Sequence, residues 1–207
     1  MPKLSIVNGI VCDSHVKQSI VKKLDHGPLT VIHAIVVHQT DSSTAQGTIA
    51  GYNNLPSGNG AHFLIDKDGK IYQTVPLNRK AQHVGYIYAK CFQLHKCVAK
   101  EKTTYEGLYK KGYSSGTRAI STLELKKAYP SRYPMNFDSI GIEIVSKYLG
   151  DENNPTRAYE QPTPEQQASL HWLVTNLLES LNLQQTDVYR HPQVSNKTAG
   201  EARDAQW

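Results

Sequence analysis

The chain has 207 residues, of which 39% are hydrophobic and 20% charged, enough apolar material for one folded domain and too little polarity for bulk disorder. Its formal net charge of +5 favours anionic partners such as nucleic acid, acidic lipid or a cell wall. Arginine–aromatic clusters of the nucleic-acid-binding kind are absent, and no apolar run approaches the roughly 20 residues of a bilayer span.

Residues Leu4 to Val11 read as a first strand, and Lys17 to Leu24 as a short linking helix broken by His26-Gly27-Pro28. The β-branched run from Ile32 to His38 predicts a buried strand. A helix follows, with Ser42 or Ser43 as cap and Ala45, Ile49 and Tyr52 at helical spacing. Two strands, Ala61 to Ile65 and Lys70 to Val75, flank Asp66-Lys67-Asp68-Gly69, a hairpin turn. Residues 84–137 are rich in Lys, Tyr, Gly and Ser, with a short helix at Thr122 to Ala128, and read as an insertion. Ser139 to Val145 is another buried strand, interrupted by Glu143. Thr163, Pro164 and Gln166 form a capping-box start, and Leu170, Leu173, Val174, Leu177, Leu178 and Leu181 make one apolar stripe. The tail from Val188 to Trp207 reads as polar and loop-like. Strands, helices and a hairpin together predict an α/β fold with one mixed sheet flanked by helices.

The first residues, Met1 to Cys12, lack the continuous apolar segment of a secretory signal. The expectation is synthesis in the cytoplasm, with action in the periplasm or on a target cell wall after non-classical export; the alternative is a cytoplasmic enzyme. Cys12, Cys91 and Cys97 are odd in number, which does not suggest a disulfide framework. Cys91 and Cys97 can bridge a small loop or stay as thiols.

Four side chains invite a chemical reading. His38 ends an apolar strand, where an imidazole faces a cleft or satisfies a structural bond. Glu143 shares a strand face with Gly141 and Val145, and a buried carboxylate costs several kcal/mol unless paired or set in a cleft; otherwise that face meets solvent. His191 lies in the polar tail before Pro192, and Lys197 follows it. Two imidazoles, a carboxylate and an amine are the parts of metal-assisted hydrolysis.

The order Val36-Val37-His38-Gln39-Thr40, His62 to Gln73, Ala81-Gln82-His83-Val84-Gly85, Ser139 to Glu143, then His191 and Lys197-Thr198 resembles the N-acetylmuramoyl-L-alanine amidase family. The resemblance covers most of residues 30–83 and 138–207. It implies a mixed sheet with zinc in a surface groove, and a single amidase domain over 1–207 with an N-terminal extension (1–29) and the insertion (84–137). It further implies cleavage of the amide between N-acetylmuramic acid and L-alanine in peptidoglycan or muropeptides. By position, His38 and His191 match zinc ligands, Glu143 the general base and Lys197 the oxyanion-stabilising lysine. His83 matches a groove-lining histidine, and His62 a family position assigned to substrate binding or to packing.

One departure stands out. The family reads Lys-x-Asp-Pro-Gly or Lys-x-Cys-Pro-Gly, with the Asp or Cys as third zinc ligand. This chain has Lys197-Thr198-Ala199-Gly200-Glu201. Alanine cannot bind metal, so Glu201 is the expected replacement, with Asp204 a remoter candidate. The rival expectation is a non-catalytic peptidoglycan-binding protein with an incomplete zinc site. The insertion is expected beside the groove, setting specificity or meeting an inhibitor or immunity protein.

Overall fold

The structure, a computed structural model, describes residues 3–54, 56, 58–151 and 158–207. A small hairpin opens the chain: β1 (Ile6–Val7) pairs antiparallel with β2 (Ile10–Val11). The single strand expected from Leu4 to Val11 is broken because Asn8 and Gly9 turn the chain with positive φ, a strong short hairpin signal.

The central sheet has six strands: β3 (Val16–Gln18), β4 (Ala34–Gln39), β5 (Phe63–Ile65), β6 (Ile71–Gln73), β7 (Ser139–Ile144) and β8 (Val188–Arg190). Their order is β3-β6-β5-β7-β4-β8. All neighbours are parallel except the β5–β6 hairpin. The sheet is therefore mixed, as expected. Two readings need correction. The helix expected over Lys17 to Leu24 is an edge strand, β3, followed by a short 3-10 turn at Lys22–Leu24; Val16 is buried against the β6 ladder, and pairing outweighs weak helical spacing. The tail is not all loop, because Val188–Arg190 docks on the free edge of β4.

Helix α1 (Ala45–Asn54) follows β4. Thr44, rather than Ser42 or Ser43, offers its hydroxyl to the Gly47 amide at 3.1 Å. Between β6 and β7 lie α2 (Lys90–Gln93), α3 (Ala99–Tyr109) and α4 (Arg118–Glu124), the last four residues earlier at its start than expected. A π turn, Tyr113–Thr117, joins α3 to α4. Helix α5 (Pro164–Leu181) has the full Thr163/Gln166 capping box, and the one-turn α6 (His191–Val194) closes the set.

Strand alternation divides the core. Ile35 and Val37 of β4, Phe63 and Ile65 of β5, and Ile140, Ile142 and Ile144 of β7 face α5 and meet Leu170, Leu173, Val174 and Leu177. The other face carries Val36, Leu64 and Val145, with His38 and Glu143 at register-matched positions of β4 and β7. Thus the hydrophobic pattern that buries α5 also turns two polar side chains toward one place.

The helices between β6 and β7 have their own small core of Ala89, Tyr105 and Ile120. Glu124, fully buried, accepts from Tyr105 Oη at 2.6 Å and from the Lys90 amide at 3.2 Å. Cys91 and Cys97 form a disulfide. Serine at both positions is expected to cost about 2 kcal/mol, the loop-closure term for a short ring, read as a lower melting temperature that reductant reproduces in the wild type.

Candidate active site

His38, His191 and Glu201 meet although 153 residues separate the two histidines. Their ring nitrogens, both Nδ1, stand 2.7 Å apart. Glu201 Oε1 is 2.9 Å from His191 Nδ1 and 3.5 Å from His38 Nδ1. All three side chains are buried.

Each of the three side chains is placed by a different device. His38 rides the end of β4, and His191 is the first residue of α6, set by the adjoining β8. Glu201 is carried by a turn in which its amide donates to the Thr198 carbonyl at 2.9 Å. Gln39 Oε1 then accepts from the Ala202 amide at 2.7 Å, and Arg190 donates to the Ala202 and Ala205 carbonyls at 2.9 and 2.8 Å. Ala202 adopts φ +54° to make this turn.

The electrostatics suit a cation. Burial and the neighbouring His191, with a smaller push from Lys197, lower His38 to about 4 against the pull of Glu201, so its lone pair is free at neutral pH. Burial alone would raise Glu201, but bonds from His191 and His38 outweigh it and hold the carboxyl at about 2. Two facing imidazole nitrogens with an ionised carboxylate, all within 4.8 Å, form an acceptable zinc donor set. A proton between the two nitrogens satisfies one of them; a divalent cation satisfies all three donors.

The triad lines a cleft of about 710 Å³ that also holds Glu143, Lys197 and His83. Glu143 Oε2 is buried with no hydrogen-bond partner. Burial and the nearby Glu201 push this carboxyl up to about 8, with Lys197 pulling it back. Lys197 is exposed at the rim.

The sequence pattern of the N-acetylmuramoyl-L-alanine amidase family matches residues 28–204. The chain belongs to that family. No curated protein sequence matches the chain. Among solved structures, AmpD, as a selenomethionine derivative, aligns with TM-score 0.55 at 16% identity over 94% of this chain and 89% of its own. The catalytic domain of XlyA gives 0.51 at 20% identity, over 88% of this chain and 87% of its own. A mutant endolysin from Bacillus subtilis gives 0.51 at 20% identity, over 90% and 87%. At such identities the likeness shows the fold alone, and it is the fold found here.

Within this amidase fold, two further histidines stand behind the triad. The Ser139 carbonyl, 3.4 Å from His83 Nε2, can only accept, and the Ser139 hydroxyl, 3.3 Å away, already donates to the Met135 carbonyl at 2.7 Å, so His83 Nε2 carries the proton. His83 Nδ1 then accepts from His38 Nε2 at 3.1 Å, which leaves the lone pair of His38 on Nδ1, toward Glu201 and His191. His83 therefore both borders the cleft and fixes the tautomer of His38. Gly141 makes room for it, since a Cβ there would stand 2.8 Å from the His83 ring.

His62 does not border the cleft, so of the two roles open to it, substrate binding and packing, the structure supports packing. It is fully buried. Its Nδ1 accepts from the Gly141 amide at 3.1 Å and its Nε2 donates to the Arg79 carbonyl at 2.9 Å. Both ring nitrogens are thus spent on backbone. Asp204 is not among the clustered donors, and its carboxylate instead stands 3.6 Å from Arg203.

Replacing His83 by alanine is expected to weaken zinc binding about 10- to 100-fold, the usual cost of losing a partner that orients a ligand. Competition with a chromogenic chelator measures it, and affinity unchanged within twofold would refute the relay.

Proposed function

We propose that this chain hydrolyses the amide between N-acetylmuramic acid and L-alanine of peptidoglycan, with zinc held by His38, His191 and Glu201. The observation that carries the proposal is the convergence of these three donors beside the unpartnered carboxylate of Glu143. When bound, the ion supplies Lewis acidity, polarising the carbonyl and acidifying water. Glu143 takes the proton from the attacking water and delivers it to the departing amine. Its raised proton affinity suits both halves of that task near neutral pH. Lys197, free to swing at the rim, brings its ammonium to the developing oxyanion.

The binding-only rival rested on Ala199. Glu201 beside both histidines weighs against that ground, and a pure binding module has little use for a buried carboxylate oxygen without a hydrogen-bond partner.

The Cys91–Cys97 bridge supports a reading of the setting. Such bonds persist in oxidising compartments, so the proposed place of work is a periplasm or an exposed cell wall, where the enzyme would act as a lysis enzyme or antibacterial effector. The basic surface suits an anionic wall.

The test is incubation of purified protein with sacculi and soluble muropeptides. Release of peptides with free L-alanine amino termini, abolished by chelator and restored by zinc, is the expected result. Wall binding without release would support the rival, and release that ignores chelator would remove zinc from the reaction.

A further inference from the structure

The walls of the cleft differ. On one side α1 presents Gly47, Thr48 and Gly51. On the other, residues 84–137 supply Tyr113, which borders the cleft and yet is 53% exposed. Tyr86 lies beside it, 39% exposed, with ring centroids 6.4 Å apart and planes inclined at 53°.

Tyr113 does little for the fold, since most of its surface meets water. Its placement is nevertheless demanding. It opens the π turn between α3 and α4, a feature that recurs at functional sites. Gly112 before it holds φ +77°, a left-handed conformation that favours glycine. Gly116 after it packs so closely that a Cβ would drive into the Leu108 carbonyl oxygen. At its foot Gly85 has no side chain, and the nearest atom to a Cβ built there is Tyr113 Oη at 4.0 Å. The local chain is thus bent to hold an exposed aromatic ring over an open floor beside the site.

Resting on the amidase reading above, we propose that Tyr113, flanked by Tyr86, forms a saccharide subsite, and that its ring packs on the C–H face of a pyranose of the glycan strand. A pyranose offers an apolar face with hydroxyls at its edge, and a tyrosine offers an apolar body with a polar tip. The cleft residues on this side, Val84, Gly85, Tyr113 and Asn136, carry no charge. A stem peptide, with its carboxylates and amides, finds no charged partner among them. The small side chains of α1 leave room for it on the opposite wall.

Two substrates separate the possibilities: a disaccharide–tripeptide, and a lactyl-tripeptide that keeps the scissile amide but lacks the sugar. Tyr113→Ala is expected to lower the ratio of their kcat/KM values roughly five- to tenfold through KM, the size of one aromatic contact. Tyr113→Phe should hold the ratio within about twofold, and unchanged melting curves would show that both variants fold. An unchanged ratio in Tyr113→Ala, or a shift that follows peptide length, overturns the subsite. If the wild type cleaves neither substrate, the amidase reading fails, and the subsite is judged by calorimetric titration with the peptide-free N-acetylglucosamine–N-acetylmuramic acid disaccharide. Saturable binding that Tyr113→Ala abolishes supports it; no binding, or equal binding by both proteins, overturns it.

Discussion

Glutamine in place of Glu143 is expected to lower kcat by about 10²- to 10⁴-fold, the contribution of a positioned general base, while zinc content and fold persist. The carboxylate sits opposite His38 in the β4–β7 register, so strand geometry delivers it to the cleft side of the sheet. Its Oε2 is buried and bonds to nothing, so the fold makes no use of that oxygen. An oxygen that the fold leaves without a hydrogen bond is one whose replacement should damage chemistry more than folding. The pH dependence of stability gives a second readout. In chelator-treated protein Glu143 keeps its proton up to about 8, whereas its ordinary value is 4.5. Across that interval the native state binds more protons than the unfolded one. The contribution of Glu143 is therefore fully present below the ordinary value and is lost as pH rises through the raised one. Glu143→Gln lacks this loss. Urea titrations of both proteins between about pH 5 and 8.5 should show the gap widening in favour of the variant. A variant retaining more than a tenth of wild-type kcat would end the general-base assignment.

The sheet was legible because its central strands are short β-branched apolar runs, buried on both faces, and carry strong turn chemistry. Val36, Val37 and His38, the Asp-Gly turn, and Ile140, Ile142 and Ile144 give that pattern directly, and the Thr163 capping box announces α5. Shorter or more polar elements escaped. Strand β3 buries only Val16 of its three residues, and α3 buries only Tyr105 of eleven, so neither writes a periodic signature. The site was legible in kind but not in geometry. No local pattern tells that His38 and His191 share a point, and their joint placement came from the order of motifs along the chain. The double duty of His83 needed coordinates, since a groove-lining histidine and one that fixes a tautomer look alike in sequence. The choice between substrate binding and packing for His62 also needed coordinates, because a buried histidine bonded to two backbone groups leaves no mark in the sequence. The spacing of Cys91 and Cys97 could not decide between thiols and a bridge.

Alanine at Glu201 is expected to reduce bound zinc from about one ion per chain to below roughly a tenth after dialysis, and hydrolysis with it, because a zinc site needs three protein donors to hold the ion. The carboxylate lies beside both imidazoles and is only 4% exposed. It is also held down at about 2, so it stays ionised over any working pH, and its contribution to stability is lost only as pH falls from the ordinary carboxylate range through that value. Elemental analysis of Glu201→Ala beside wild type decides the ligand, and undiminished zinc would remove Glu201 from the site. The position where the family carries Asp or Cys supplies a sharper control. Ala199 is exposed, on the outside of the turn whose Thr198–Glu201 hydrogen bond turns Glu201 inward. Gln39 and Arg190 clamp the following residues from within the fold, so the backbone cannot easily rotate residue 199 toward the histidines. The double variant Glu201→Ala/Ala199→Asp should therefore remain zinc-poor. Full recovery of zinc in it would mean that the third ligand is set by loop freedom rather than by the clamped turn.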